Sequence, residues 1–254
     1  MGSGTRLLAV GVLLCVVAAG VVWRLLGIDE PSKVASRERT PAPPHLIARD
    51  SSGHGNNGIN QGDPIMGLPG HEGAAYSFAR FGSWVDVPSR NDLNPGRRPF
   101  TLSAWANFGA TPRGHRDYDL VRKGLANAPS GEYKLEVVHG GLVRCTVWDR
   151  KGKRARITDW DHPVTDGDWH LIGCARTRHS WKVLVDGASK SLRTSLGAIT
   201  NTGPLAIGSK YGADDPTNGR LDDVRLRIRG ATVGLWRLNE SASGPSGGGP
   251  APPP

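Results

Sequence analysis

Cysteine is scarce in this chain, with three among 254 residues. No Cys-x-x-Cys pair and no Cys/His spacing is present, which excludes a zinc-held scaffold. Helix-forming runs of Ala, Leu, Glu and Lys are scarce beyond residue 27, which excludes a bundle or a regular alternation of strands and helices. The Gly-x-Ser-x-Gly elbow and the His-Glu-x-x-His helix are both missing. No run of closely spaced carboxylates occupies one strand. Glycoside hydrolysis needs two carboxyl groups about 5 to 10 Å apart across the sugar. Glu132 and Glu136 come nearest, but Lys134 stands between them, and the three read as a solvated strand face. These absences argue against an enzyme. There is also no recognition-helix pattern and no RNP-type aromatic motif, so nucleic acid is not an expected partner.

Acidic residues are in deficit. Asp and Glu number 23 against 32 Lys and Arg, a formal net charge of +9. One reading is simply a well-hydrated basic surface; the sharper alternative is attraction to acidic polymers such as anionic cell-wall or matrix polysaccharides. The eight histidines are scattered; His54 in a glycine-rich turn and His170 after a tryptophan read as structural.

Glycine (35) and proline (19) are abundant, and period-two alternation recurs from about residue 73 onward. Val224, Leu226 and Ile228 point one way and Arg225, Arg227 and Arg229 the other. Trp181, Val183 and Val185 share a face. Tyr133, Leu135 and Val137 share a face that Glu132, Lys134 and Glu136 oppose. About a dozen such segments, punctuated by Gly, Asn, Asp and Pro clusters, predict an antiparallel β-sandwich with no helix between strands. Trp105, Trp169 and Trp181 fit core positions. Trp160 lies in the polar stretch Thr-Asp-Trp-Asp-His and is the candidate ligand-contact residue, since exposed rings often bind sugars.

The chain divides into four parts. Residues 7–23, LLAVGVLLCVVAAGVVW, are uncharged and can just span a bilayer, so residues 1–27 read as an uncleaved transmembrane anchor. A cleavable signal peptide, with Val17-Ala18-Ala19 as the processing site, is the alternative and would release the protein. Residues 28–44 read as a polar, proline-ended stalk, 45–240 as the globular domain, and 241–254 as a disordered Gly/Pro tail. Cys15 lies in the apolar run. Cys145 and Cys174 sit in separate predicted strands, and in an exported domain they are expected to pair; two buried thiols are the alternative. The bridge would close a loop of about 30 residues, worth roughly 3 kcal/mol.

Several segments in a shared order resemble one family. They are Asp50-Ser-Ser-Gly-His-Gly-Asn-Asn-Gly58, Ala75-Tyr-Ser-Phe78, Gly82-Ser-Trp-Val-Asp-Val-Pro88, Phe100-Thr-Leu-Ser-Ala-Trp105, Asp168-Trp-His170, Val185-Asp-Gly187, Ala206-Ile-Gly208 and Gly219-Arg-Leu-Asp-Asp-Val-Arg225. Together they resemble the laminin G-like jelly rolls of the concanavalin A-like lectin and glucanase superfamily over roughly residues 45–229. Members usually begin with a strand just before the Asp-Ser-Ser-Gly turn. Here the matching segment, Val233-Gly-Leu-Trp-Arg-Leu-Asn-Glu240, comes after the last strand. It is expected to fill the first strand's place from the other end of the chain; an extra edge strand or a truncated second copy are the alternatives.

The resemblance implies a structural calcium in many members, with Asp50, Asn56 and Asp222 as the ligand candidates, or else an Asp50 that merely caps its own turn. It implies a membrane-anchored, extracytoplasmic binding or adhesion module for carbohydrate or another extracellular polymer. The competing expectation is a non-catalytic envelope subunit that recognises a protein.

Overall fold

A computed structural model describes residues 47–241, apart from 81, 115, 127–130 and 213. The expected anchor, stalk and nearly all of the tail lie outside the described residues. No helix among the described residues is long and apolar enough to cross a membrane.

Among the described residues, sixteen antiparallel strands form two facing sheets. Sheet A runs in the order β1 (Ile47–Ala48), β2 (Gly58–Gln61), β5 (Trp84–Val87), β14 (Leu205–Ile207), β7 (Tyr118–Lys123), β8 (Glu132–Val138), β9 (Leu142–Trp148), β10 (Arg154–Pro163). Sheet B runs β13 (Ala188–Arg193), β12 (Ser180–Val185), β11 (Trp169–Arg176), β6 (Phe100–Asn107), β15 (Arg220–Ile228), β4 (Ala74–Ser77), β3 (Ile65–Pro69). The remaining strand, β16 (Ala231–Trp236), also pairs with β15. Alternation drives this layering, because every second side chain of a strand faces the other sheet. Leu102, Ala104 and Ala106 of β6 thus meet Tyr133, Leu135 and Val137 of β8 in one core. The β8–β9 hairpin closes at Gly140 and Gly141, whose φ of +82° and +74° a side chain would resist.

Cys145 on β9 and Cys174 on β11 are joined, with Cα atoms 5.6 Å apart, so the bridge staples sheet A to sheet B. Trp181 is fully buried beside it and donates its indole N–H to the Cys145 carbonyl at 3.0 Å. Trp105 and Trp169 differ from expectation. Both project from the outer face of sheet B and are half-buried, because the small residues Ala104 and Ala106, not Trp105, occupy the inward register of β6.

The two described ends of the chain meet. On the side of β15 away from β6, β4 pairs with its first residues and β16 with its later ones. Trp236 is buried, bridges Asp50, and donates from its indole to the Asn56 carbonyl at 2.8 Å. Its ring folds over Gly234, where any Cβ would collide with it. Ser51 N–H donates to the Leu235 carbonyl at 2.8 Å, and Arg49 N–H to the Glu240 carboxylate at 2.8 Å. The late segment therefore sits inside the sheet beside the opening turn, as the first-strand reading requires.

On the chain-entropy argument, Cys145→Ser/Cys174→Ser should lower the unfolding free energy by about 3 kcal/mol. Denaturant melts of the variant and of the reduced native protein should coincide. A variant as stable as the oxidised protein would show that the staple does not constrain the unfolded chain.

Candidate functional site

The outer face of sheet A is charged, yet much of it is dry. Cross-strand register sets three rows. One runs Asp119, Glu136, Arg144, Thr158. The next runs Ala206, Arg122, Lys134, Thr146, Arg156. The third runs Glu132, Trp148, Arg154. Glu132 and Glu136 are each 2% exposed, so the expected solvated face is a buried one. Their outward direction was right; cross-strand cations and the groove walls remove them from water.

Burying these charges is costly unless each finds a partner. Arg122 donates to Asp119 at 2.6 Å and to Glu132, and its Nε reaches the Gly124 carbonyl at 3.2 Å. Lys134 Nζ lies 2.6 Å from both Asp119 and Glu136. Thr146 Oγ1 donates to Glu136 at 2.9 Å. Two cations and three carboxylates thus form one closed network. Burial opposes the Lys134 charge, but Asp119 and Glu136 hold its pKa well above the ordinary lysine range.

Above this floor opens a cleft of about 360 Å³, and a second of about 230 Å³ adjoins it at Asp117. Asp117 sits against Glu136. Burial, then the Glu136 charge, push its pKa up to about 6. Burial also acts to raise Glu136, but Lys134 and the hydrogen bonds from Lys134, Asp117 and Thr146 outweigh it and hold Glu136 below its usual value. Of the two, Asp117 is therefore the group that takes up a proton first as pH falls. The rim carries Trp148, Arg154, Arg156 and Lys210. The Arg154 guanidinium lies over the Trp148 ring, 5.3 Å from its centre.

The sequence-predicted ligands lie elsewhere. Asp50 and Asn56 do come together, with Asn56 N–H donating to Asp50 Oδ2 at 2.9 Å. The same carboxylate accepts from Ser52 N–H, the Ser52 hydroxyl and Leu235 N–H. The buried Asn56 amide donates to the Val233 carbonyl at 2.7 Å and to Asp92 at 3.1 Å. Asp222 accepts from Glu72 N–H at 3.0 Å, under the β3–β4 turn. Among the described residues no group of three or more His, Cys, Asp and Glu is placed to hold a metal. N–H donors aimed at Asp50 do not fit a calcium ion, which needs clustered oxygens. The arrangement instead clamps the opening turn to β16. Trp160 is 67% exposed and sits on strand β10, among the residues that line neither cleft. His170 is structural, as read, with its ring nitrogens 2.6 Å from Asp186 and 2.9 Å from Asp166.

The raised Asp117 pKa has a defined sign in stability. Asp117 binds a proton more tightly folded than unfolded. Its contribution is complete below its ordinary value of 3.8 and is lost as pH rises through about 6. Carbon-13 NMR of the carboxyl groups should show a titration near pH 6 that Asp117→Asn removes. A spectrum in which no such titration is lost on that substitution would refute the assignment to Asp117.

Comparison with known proteins agrees with this architecture. The family described as the concanavalin A-like lectin/glucanases superfamily, in its laminin G-like form, matches residues 80–229. No curated protein matches the chain significantly. Among solved structures, the binding domain of Paraclostridial Mosquitocidal Protein 1 aligns at TM-score 0.56 and 18% identity, over 76% of this chain and 48% of that one. The botulinum neurotoxin serotype G binding domain aligns at 0.57 and 14%, over 71% and 45%. Domains LG4-5 of the mouse laminin alpha1 chain align at 0.50 and 13%, over 72% and 48%. This chain spans about half the length of the structures it matches, and at these identities they speak for the fold alone. With the family match covering more than half of the sequence, and the two-sheet jelly roll in place, the chain belongs to the concanavalin A-like lectin/glucanase superfamily as a laminin G-like member.

Proposed function

We propose that this domain is a non-catalytic binding module held outside the cell, and that it captures an extracellular glycan or related polymer in the sheet A groove. One observation carries the reading. The groove presents the Trp148 ring with Arg154 and Arg156 at its rim, while the carboxylates beneath are tied up in ion pairs. Partly exposed aromatic rings beside polar groups suit stacking on a sugar. Glu132 and Glu136 are held by Arg122 and Lys134, and Asp117 lies against Glu136. No pair of carboxyls stands free across a sugar, as cleavage would need. Two of the similar structures are themselves described as binding domains, which fits a recognition role.

The disulfide supports an oxidising, extracytoplasmic location. The apolar run at residues 7–23 supports tethering to the cell membrane, with residues 28–44 as spacer. Calcium is left out of this reading, because the Asp50 oxygens already accept from four donors.

A second reading, a protein-recognising envelope subunit, is favoured by the outer face of sheet B. There His71 stacks on Trp105 with ring centres 3.6 Å apart, Trp169 lies edge-on to His71, and Leu171 is 39% exposed.

The full chain, applied to immobilised glycans, should bind at least one, with no change on adding a chelator. Trp148→Ala should weaken that binding about tenfold. If Trp148→Ala binds as the native chain does while Leu171→Asp abolishes retention, the sheet B reading takes its place.

A further inference from the structure

A buried charge beneath sheet A takes no part in the groove. Lys123, the last residue of β7, pairs in register with Tyr133 of β8 and Leu205 of β14, and like them it is fully buried. A lysine at such a position is costly unless its charge is received. We propose that the Lys123 ammonium is a resident cation: it fills a preformed site of four neutral oxygens whose ligand class is a primary alkylammonium. The proposal stands apart from whatever the groove binds.

The contacts around the nitrogen are those of a coordinated ion. Nζ lies 2.6 Å from the Gly203 carbonyl and 2.9 Å from Asn201 Oδ1. The Asn201 carbonyl and Ser89 Oγ each lie 3.1 Å away. An ammonium has three hydrogens, yet four oxygens stand within reach, so the hydrogens are shared among them. Burial pushes the Lys123 pKa down to about 8, which leaves the ammonium the main form at neutral pH. Ser89 follows β5, Lys123 ends β7, and residues 201–203 lead into β14. One nitrogen thus ties together three strands that are neighbours in sheet A.

Groups other than the lysine hold the oxygens in place. Asn94 Nδ2 donates to the Asn201 carbonyl, and Asn94 Oδ1 accepts the Asn201 N–H, each at 3.1 Å. The Asn201 amide is fixed in turn. Its Nδ2 donates to the Gly131 carbonyl at 3.0 Å, and its Oδ1 accepts the Gly203 N–H at 3.1 Å. Both asparagines are buried. A site braced in this way keeps its shape when its occupant is removed.

The four oxygens also select the occupant. Two backbone carbonyls, one side-chain amide and one hydroxyl carry no net charge. Calcium draws on carboxylates and on oxygens at about 2.3 to 2.6 Å. The oxygens here are neutral, and at 2.6 to 3.1 Å they are set at hydrogen-bond distance. They suit a singly charged ion that has N–H groups to donate. Ser89 is exposed, so the site lies one side chain from solvent.

The test compares the full chain with Lys123→Ala and Lys123→Met. The alanine variant loses the outer three carbons and the nitrogen, a fragment the size of n-propylammonium. Thermal melts are recorded at one ionic strength in sodium, n-propylammonium or tetramethylammonium chloride. The native chain should melt alike in all three, because its site is filled. Lys123→Ala should melt lower than the native chain, and n-propylammonium should raise its melting temperature over sodium by at least about 2 °C. Tetramethylammonium, which has no N–H to donate, should not. Lys123→Met, whose stem fills the space, should gain nothing from either organic ion. No gain for Lys123→Ala, or the same gain in both variants, would overturn the proposal. If neither variant folds, the native chain decides. Nitrogen-15 NMR should show the Lys123 ammonium hydrogens protected from exchange at neutral pH. Free exchange would overturn the resident cation. So would a native mass one ammonia short of the sequence, which would mean that the amine has joined the Asn201 amide.

Discussion

A charge removed from water must be paired where it lies, and the outer face of sheet A is built around that constraint. Asp119, Arg122, Glu132, Lys134 and Glu136 lie on two neighbouring strands and are nearly all out of solvent. Removing one member of such a network costs about 3 to 5 kcal/mol, because its partner is left buried and unpaired. The strands carrying them cannot slip, since a shift of one residue would send every charge into the apolar core. The network therefore fixes the register of β7 and β8 and, through Thr146, that of β9. It also sets the shape of the cleft above it. What stays open above it is the rim, with the Trp148 ring, Arg154 and Arg156.

The two sheets are joined by different means at different places. The disulfide and Trp181 hold β9 to β11 and β12 near one side of the sandwich. At another point Asp50 and Asn56 fasten the opening turn to β16, using backbone N–H and carbonyl groups as their partners. The late strand makes the sheet complete only because that turn receives it. Residues that look like cation ligands in the sequence are thus spent on closing the fold. The groove lies along β7 to β10, at the other end of sheet A from the β1–β2 turn that the family resemblance pointed to.

Much of this was legible beforehand. The alternation on β8, β12 and β15 follows from period-two patterning, and the order of short motifs pointed to the superfamily. Other features were not legible, for physical reasons. Which face Glu132 and Glu136 occupy is a property of one strand, but their burial depends on Arg122, Asp119 and Thr146 on its neighbours. Strand β10 escaped notice because only Ala155 and Ile157 mark its inner side, while Arg154, Arg156, Asp159 and Asp161 read as a polar loop. Trp105 and Trp169 were placed inside on size, although Ala104 and Ala106 already marked the inward register. The pairing of Cys145 with Cys174, by contrast, was expected from the sequence, and the facing sheets bring the two together.

A face of sheet A that binds, and a face of sheet B that does not, is the claim on which the account turns. The eight tryptophans report on both. Indole N–H signals of the full chain should be followed by NMR while a glycan that retains the chain when immobilised is added. The account predicts that the Trp148 signal moves and saturates, while Trp105 and Trp169 stay in place. Movement of Trp105 and Trp169 with Trp148 unchanged would contradict it.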